Sequence, residues 1–171
     1  MGLLEPHGRH RRGDGAAGVT GRIAGIARHD RPLGPIETVD SVELVEGQGL
    51  SGDFRGGRKA GSRGQNGVVL IEAGDWAAAT AECGADVPWW ERRGNLLVEG
   101  LDLPQQPGAR LRIGEAVVVE ITQECAPCER MEALHPGLRA ALEPDWRAGA
   151  RARVLRGGRV AVGDEIRIEQ Q

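Results

Sequence analysis

The chain is poor in cysteine and lysine, and each shortage excludes a class of protein. Three cysteines in 171 residues, an odd number with one close pair, argue against the disulfide framework of a small secreted protein and favour reduced thiols. Lys59 is the only lysine, and it lies in a glycine-rich loop, whereas pyridoxal phosphate enzymes bind their cofactor through a Schiff-base lysine. We therefore expect this chain to bind no pyridoxal phosphate.

Long apolar runs and a strong charge imbalance are also missing. No run reaches the ~20 apolar residues that a membrane-spanning helix needs, and the first residues lack the apolar core of a signal peptide. The net charge of −3 and the pI of about 5.8 give no general reason to bind nucleic acid or an anionic membrane. We expect a cytoplasmic protein that binds neither.

The pattern of apolar residues predicts one domain that is mostly β with a few short helices. Residues 1–17 are rich in Gly, Arg and His and are predicted to be a disordered tail, which leaves 18–171 as a single domain. The alanine-rich segment 73–83 predicts a helix that ends at Gly84, and 136–142 a second, shorter one. Strands are predicted at 19–27, 39–45, 68–71, 96–98, 109–113 and 116–122, and hairpin strands close the chain at 154–155 and 160–168. Because strands and helices do not alternate, we expect a β-barrel.

The segment 47–52 matches the G-x-G-x-x-G pattern of dinucleotide-binding proteins. That pattern needs a helix directly after the glycines, whereas here residues 53–57 continue the loop, so we predict no dinucleotide site. The loop does carry four cations, which predict either a cradle for a phosphate or pterin group or a solvated loop. They are Arg55, Arg58, Lys59 and Arg63.

Residues 121–131 carry the most visible chemistry of the chain. A β-branched apolar run leads into Cys125-Ala-Pro-Cys128, and a helix-permissive segment follows. If a helix begins near Cys128, its free N–H groups and positive dipole end favour the thiolate, the form that attacks electrophiles and binds soft metals. Two flanking glutamates oppose thiolate formation and Arg130 favours it, so the net sign stays open.

Several short patterns, taken together, resemble those of the MOSC domain, the module found at the C-terminus of molybdenum cofactor sulfurases and as small stand-alone bacterial proteins. The patterns are Gly49-x-x-Gly52-Asp53, Arg93-x-Asn95 leading into Val98-Glu99-Gly100, Gly108-x-x-Leu111-x-Ile113-Gly114, Pro127-Cys128, and the ending Arg153-Val154-Leu155 to Gly163-Asp164-Glu165-Ile166. The resemblance extends from about Val19 to Glu169.

The resemblance implies a fold and a set of site residues. The fold is a β-barrel of the pyruvate-kinase-barrel type, and Cys128 is the functional thiol, which carries sulfur as a persulfide or ligates molybdenum. The cofactor-binding positions carried over are Arg93, Asn95, Gly52 and Asp53, with Arg55 and Arg58 of the following loop as further candidates.

At two positions the chain departs from the family's pattern. The family often has a glutamate between the Arg and the Asn, where this chain has Gly94. It often has a histidine just after Gly-Asp, where this chain has Phe54 and Arg55. The resemblance therefore does not carry a proton-transfer or hydrogen-bonding role over to these two positions, whereas the thiol role of Cys128 is unaffected.

The first functional hypothesis is a protein that binds molybdenum cofactor (molybdopterin), carries sulfur on Cys128 for metal–sulfur cofactor assembly, or does both. The sulfur donor would be a pyridoxal-phosphate-dependent cysteine desulfurase, and Cys125 could displace sulfur from a Cys128 persulfide by forming a disulfide. The second hypothesis is a molybdenum-dependent reductase of N-hydroxylated compounds. It requires a separate electron-transfer partner, because the chain shows no flavin or iron–sulfur motif.

A third hypothesis treats Cys125-x-x-Cys128 as a thiol redox pair or as part of a metal-binding module. Thioredoxin-like chemistry expects a βαβ context that the sequence lacks. A structural zinc site needs four ligands, and only His135 and Cys83 are obvious additions. We expect these two residues not to converge with the motif, and we expect His29 and His135 to lie on the surface or in loops.

Overall fold

The computed structural model describes residues 18–55 and 67–170, which contain eleven strands, three α-helices and two short 3₁₀ helices. The strands are β1 (Thr20–Arg28), β2 (Glu37–Thr38), β3 (Ser41–Val45), β4 (Gly49–Leu50), β5 (Val68–Glu72), β6 (Leu96–Glu99), β7 (Arg110–Ile113), β8 (Val117–Glu124), β9 (Ala150–Arg156), β10 (Gly158–Ala161) and β11 (Glu165–Glu169). The α-helices are α1 (Ala73–Cys83), α2 (Glu129–Leu134) and α3 (Leu138–Leu142), and the 3₁₀ helices span Trp89–Arg92 and Pro144–Trp146. The predicted tail 1–17 lies outside the described residues.

Seven strands form a closed barrel in the order β11-β7-β8-β9-β5-β6-β1, and pairing of β1 with β11 closes it. Every neighbouring pair is antiparallel except β5 with β6. A smaller sheet, β10-β3-β4, lies beside the barrel. Closure leaves no unpaired barrel edge. The predicted mostly β barrel is thus confirmed, and the prediction that no helix follows the segment 47–52 holds as far as Arg55.

The prediction of hairpin strands at the end of the chain is wrong. β10 pairs with β3, and β11 pairs with β7 and β1. β11 is needed to close the barrel, so it pairs with strands that are distant in sequence rather than with its neighbour. Local alternation of apolar residues shows that a strand exists but does not select its partner.

The all-apolar strand β5 separates two hydrophobic clusters. Val68 and Leu70 belong to the cluster that fills the barrel, whereas Val69 and Ile71 pack with α1, α2 and α3 on its outer face. Burial of both faces explains why β5 reads as a continuous apolar run instead of alternating. Helix α1 has the predicted bounds and ends at Gly84, whose φ of 68° closes the C-terminus. No helix in the described residues is long and apolar enough to span a membrane.

Candidate functional site

A cavity of about 390 Å³ lies on the outer side of the barrel, where several chain segments begin or end. His29 directly follows β1, Arg93 precedes β6, Cys125 directly follows β8, and Arg151 is the second residue of β9. The lining residues in the described part of the chain are His29, Pro32, Leu33, Phe54, Arg55, Val69, Arg93, Cys125 and Arg151. The volume is within the ~300–1,000 Å³ range of small-molecule sites.

The cavity is basic although the whole chain carries a net charge of −3. Three of its described lining residues are arginines (Arg55, Arg93 and Arg151), and none is a carboxylate. The Arg151 guanidinium has no hydrogen-bond or ion-pair partner among the described residues, although its backbone carbonyl accepts from Thr122 Oγ1. Guanidinium groups of this kind suit phosphate or another planar or tetrahedral anion. The cavity is therefore suited to an anionic small molecule.

Gly52 and Asp53 directly precede two lining residues, Phe54 and Arg55, and support that part of the cavity wall without lining it. Gly52 has a φ of 79°, and a Cβ there would lie 3.0 Å from Arg28 Nη1, so both conformation and space favour glycine. The buried Asp53 carboxylate accepts hydrogen bonds from the backbone N–H of His29 (3.1 Å) and of Arg55 (3.0 Å). Asp53 thus joins the end of β1 to the loop that carries Arg55.

Arg55 and Arg93 are each held by a hydrogen bond from the guanidinium group to a backbone carbonyl. Arg55 Nη1 donates to the carbonyl oxygen of Arg93 (2.9 Å), and Arg93 Nη1 donates to Gly34 O (2.8 Å). Arg93 has a φ of 63°, which is unusual outside glycine. Its buried Nε has no hydrogen-bond partner in the described structure. The site therefore contains a buried donor that a ligand could satisfy.

Burial and neighbouring charges shift the pKa values of two arginines of the cavity. Burial lowers the pKa of Arg55; Asp53 and Cys125 oppose this effect, and Arg92 and Arg151 reinforce it. Burial also lowers the pKa of Arg93, with a further contribution from Arg130 and an opposing one from Glu91. Arginine remains charged at neutral pH even so. Repulsion from neighbouring arginines thus adds to the effect of burial at both residues.

His29 lies in the loop after β1, as predicted, but it is buried and not on the surface. Only 6% of the residue is exposed; its ring lies 6.3 Å from that of Phe54, and its Nδ1 is 3.7 Å from Asp53 Oδ1. Burial lowers the pKa of His29; Asp53 opposes this effect, and Arg55, Arg93 and Arg130 reinforce it. The chain therefore places a neutral imidazole beside Phe54, near the position where the family often carries its own histidine. Its environment comes from tertiary contacts, which the sequence did not signal.

Asn95 lies beneath the cavity and not in its lining. Its side chain is fully buried; Oδ1 accepts from the backbone N–H of Val69 (2.9 Å), and Nδ2 donates to Ala27 O (3.3 Å). Asn95 thereby connects β5 with β1 at the start of β6. In this structure both polar atoms of the amide are bonded to the protein backbone.

The departure at Gly94 has a steric explanation. A Cβ at this position would lie 2.4 Å from Ile71 Cδ1 and 3.4 Å from Val69 Cγ1. The backbone of residue 94 packs directly on the outer face of β5, which leaves no room for the glutamate that the family often has here.

The two cysteines of the C-x-x-C motif have different environments. Cys128 is exposed and is the N-cap of α2, as the sequence predicts, and its carbonyl accepts from Met131 N (2.9 Å). Cys125 is only 4% exposed and belongs to the cavity lining. Its backbone N–H donates to Gly149 O (2.9 Å). The outer and inner thiols of the motif are therefore Cys128 and Cys125, respectively.

Arg92 fixes the inner end of the motif. It is 6% exposed, and its Nη2 donates to the carbonyl of Cys125 (2.9 Å), to Cys125 Sγ (3.1 Å) and to Ala126 O (3.4 Å), while Nε donates to Ala148 O (3.0 Å). No carboxylate in the described part of the chain forms an ion pair with it. The sequence showed Arg92 only as one of two adjacent arginines before a strand.

Of the predicted site residues, the structure brings Arg55, Arg93 and Cys125 together in the cavity lining, with Asp53 and Gly52 supporting the wall and Asn95 beneath it. Cys128 is exposed outside the lining. Arg58 lies outside the described residues, as do Lys59 and Arg63. His29, Arg92 and Arg151 are additional residues that sequence reasoning did not select.

Within residues 18–55 and 67–170, no group of three or more His, Cys, Asp or Glu side chains is arranged so that it could hold a metal ion. His135 Nε2 lies 3.0 Å from the carbonyl oxygen of Cys83, so these two residues meet each other. A soft metal in this region would therefore need ligands from a cofactor as well as from the protein.

Comparison with known proteins identifies related sequences and folds. A family described as "MOSC domain" matches residues 52–167, more than half of the chain. The solved structure of the YuaD protein from Bacillus subtilis superposes with a TM-score of 0.74 at 20% identity, covering 89% of this chain and 97% of that one. YiiM from Geobacillus stearothermophilus gives a TM-score of 0.64 at 17% identity, with 88% and 75% covered. YiiM from Escherichia coli gives 0.62 at 17%, with 88% and 70% covered. No curated protein matches the chain.

Proposed function

The chain belongs to the MOSC domain family, and from this premise we propose that it binds molybdenum cofactor in the basic cavity and carries sulfur as a persulfide on Cys128. The observation that supports the proposal most strongly is the convergence of three arginines and a cysteine on one cavity of about 390 Å³. Phosphate and soft-metal recognition need these two kinds of side chain.

The residues of the cavity fit an anionic cofactor. Arg55, Arg93 and Arg151 would hold the phosphate, and the unpartnered Nε of Arg93 is a buried donor that such a group would satisfy. The cofactor, when bound, would supply the molybdenum, and a cysteine thiolate beside the cavity could serve as one of its ligands. The chain's own contribution is to bind the anion and to place thiols beside it.

Exposure of Cys128 supports the sulfur-carrying part of the proposal. A persulfide donor protein can reach an exposed thiol at the start of a helix, whereas it cannot reach a thiol that is 4% exposed, such as Cys125. In loading, the Cys128 thiolate attacks the outer sulfur of the donor persulfide, and the donor thiolate leaves. A cysteine desulfurase that uses pyridoxal phosphate is the expected donor class.

The experiment is elemental analysis together with intact mass on protein purified without oxygen. Wild type is compared with Cys128→Ala and, as a matched control, with Cys83→Ala, which removes the half-buried third cysteine. We expect molybdenum near one atom per chain and a mass increase of one sulfur atom in the wild type and the control, and loss of the added sulfur in Cys128→Ala.

The outcomes also separate the competing hypotheses. Molybdenum without added sulfur, together with reduction of an N-hydroxylated compound by an artificial electron donor, would favour the reductase and its electron-transfer partner. A Cys125–Cys128 disulfide without molybdenum would favour the thiol redox module. A wild type with neither molybdenum nor sulfur after expression with an active cofactor pathway would contradict the proposal.

A further inference from the structure

The two thiols of the C-x-x-C motif face different partners. Cys128 is exposed, whereas Cys125 belongs to the lining of the basic cavity. A macromolecular donor meets only the first of them, and a small molecule bound in the cavity meets the second. Sulfur loaded at the surface must therefore be moved inward before it can act on a ligand in the cavity.

Arg92 gives Cys125 the contacts that a reacting sulfur needs. Its buried guanidinium lies 3.1 Å from Cys125 Sγ and forms no ion pair with a carboxylate in residues 18–55 and 67–170. A buried cation without a counter-charge is unfavourable, and a negative sulfur in contact with it compensates the charge. The same guanidinium also donates hydrogen bonds to the Cys125 and Ala126 carbonyls, so it fixes the backbone that carries the sulfur.

The spacing of the motif limits how far apart the two thiols can be. Three residues of chain keep the two Cα atoms within about 11 Å of each other even at full extension. Cys125 is held by Arg92 and by its N–H bond to Gly149 O, whereas no side-chain hydrogen bond restrains Cys128 in the described structure. Of the two thiols, Cys128 is therefore the one expected to move in a transfer.

We propose that Cys128 and Cys125 act in sequence, as a surface thiol that accepts sulfur and a cavity thiol that delivers it. The inference rests on the proposed persulfide function. In the transfer, the Cys125 thiolate attacks the outer sulfur of the Cys128 persulfide. One S–S bond forms and one breaks, the outer sulfur keeps its proton, and the electron pair leaves on the Cys128 thiolate. No net oxidation occurs, so no additional oxidant or reductant is consumed.

The test uses a persulfide on a bead-immobilised thiol, which reacts with exposed thiols and cannot enter the cavity. The full chain is incubated with the beads, removed, and digested after alkylation, and mass spectrometry assigns the added sulfur to Cys125 or Cys128. The variants are Cys128→Ser, Cys125→Ser and, as a control, Cys83→Ser. Thermal unfolding of each variant establishes that it is folded.

This relay of sulfur from Cys128 to Cys125 predicts a distinct distribution of added sulfur in the wild type and in each variant. In the wild type and in Cys83→Ser, sulfur appears first on Cys128 and then on Cys125. In Cys128→Ser, labelling of Cys125 falls about tenfold or more, because a buried thiol cannot reach the beads. In Cys125→Ser the sulfur stays on Cys128.

Three results would overturn the relay. Sulfur that remains on Cys128 in the wild type would leave the carrier function intact and remove the role of Cys125. A Cys125–Cys128 disulfide with release of one sulfide per chain would make Cys125 a resolving thiol, which attacks the inner sulfur instead. Absence of sulfur from Cys128 in every chain would refute the proposed function itself.

Discussion

Replacement of Arg151 by methionine provides a sharp test of the basic cavity. Methionine keeps an unbranched apolar stem and removes the charged guanidinium. Arg151 lines the cavity, and its guanidinium has no hydrogen-bond or ion-pair partner among the described residues. Its positive charge also acts unfavourably on Arg55. A residue of this kind contributes little to folding, so its presence is best explained by a ligand.

Arg151→Met is expected to weaken anion binding strongly and to change the stability of the fold only slightly. A hydrogen bond to a charged group contributes about 1.5–3 kcal/mol, which corresponds to about a 10- to 150-fold weaker Kd for an anion. The free energy of unfolding should stay within about 0.5 kcal/mol of the wild type, because no bond in the described structure is lost and repulsion with Arg55 is relieved.

The assay is isothermal titration calorimetry with inorganic pyrophosphate at low ionic strength, where exposed charges are least screened. Arg153→Met is the matched control: it removes the same charge from the same strand, but Arg153 is paired with Glu120 and does not line the cavity. Equal weakening in both variants would mean that only net charge matters. Unchanged binding in Arg151→Met would refute the assignment of the cavity as an anion site.

Two further predictions concern stability. Asn95→Ala should lower the free energy of unfolding in urea by about 2–4 kcal/mol, because it leaves a buried backbone N–H of β5 without its 2.9 Å partner and removes a second, longer bond. The control Gln106→Ala removes an exposed amide and should change the free energy of unfolding by less than about 0.5 kcal/mol. Equally small effects of both substitutions would exclude a structural role for Asn95. The second prediction concerns His29, whose pKa burial lowers below the unfolded value of 6.5. Just below that pH the unfolded chain therefore binds more protons than the folded chain. The free energy of unfolding then falls on acidification by at most about 1.4 kcal/mol per pH unit. His29→Gln should remove this part of the decline as the pH falls below about 6.5. An identical pH profile for both proteins would show that His29 does not titrate differently on folding.

Features that depend on neighbouring residues were predictable from the sequence. The alanine-rich run ending at Gly84 predicts α1 with the observed bounds, because helix propensity and a left-handed C-terminal residue are local properties. The position of Cys128 at the start of α2 was equally visible, since a proline-containing approach is followed by helix formers. Short order-specific patterns also identified the family, which the comparison confirms.

The residues that form and support the cavity could not be predicted from their neighbours in the sequence. His29, Arg92 and Arg151 lie in three separate parts of the chain, and nothing in their immediate neighbours distinguishes them from solvated residues. Their common location follows from the strand order β9-β5-β6-β1, which brings His29 at the end of β1 and Arg151 at the start of β9 to the cavity, where Arg92 contacts the lining residue Cys125. The incorrect pairing predicted for β10 and β11 has the same origin.

The sequence by itself determined the class of fold, the helix that begins after Cys128, and a thiol motif with a family resemblance, because these follow from propensity, periodicity and short spacing. Only the tertiary structure decided that Cys125 lies inside and Cys128 outside, and that a chain with net charge −3 contains a cavity lined by three arginines. Burial and charge in a cavity are sums over residues distant in sequence, and those sums exist only once the strands have paired.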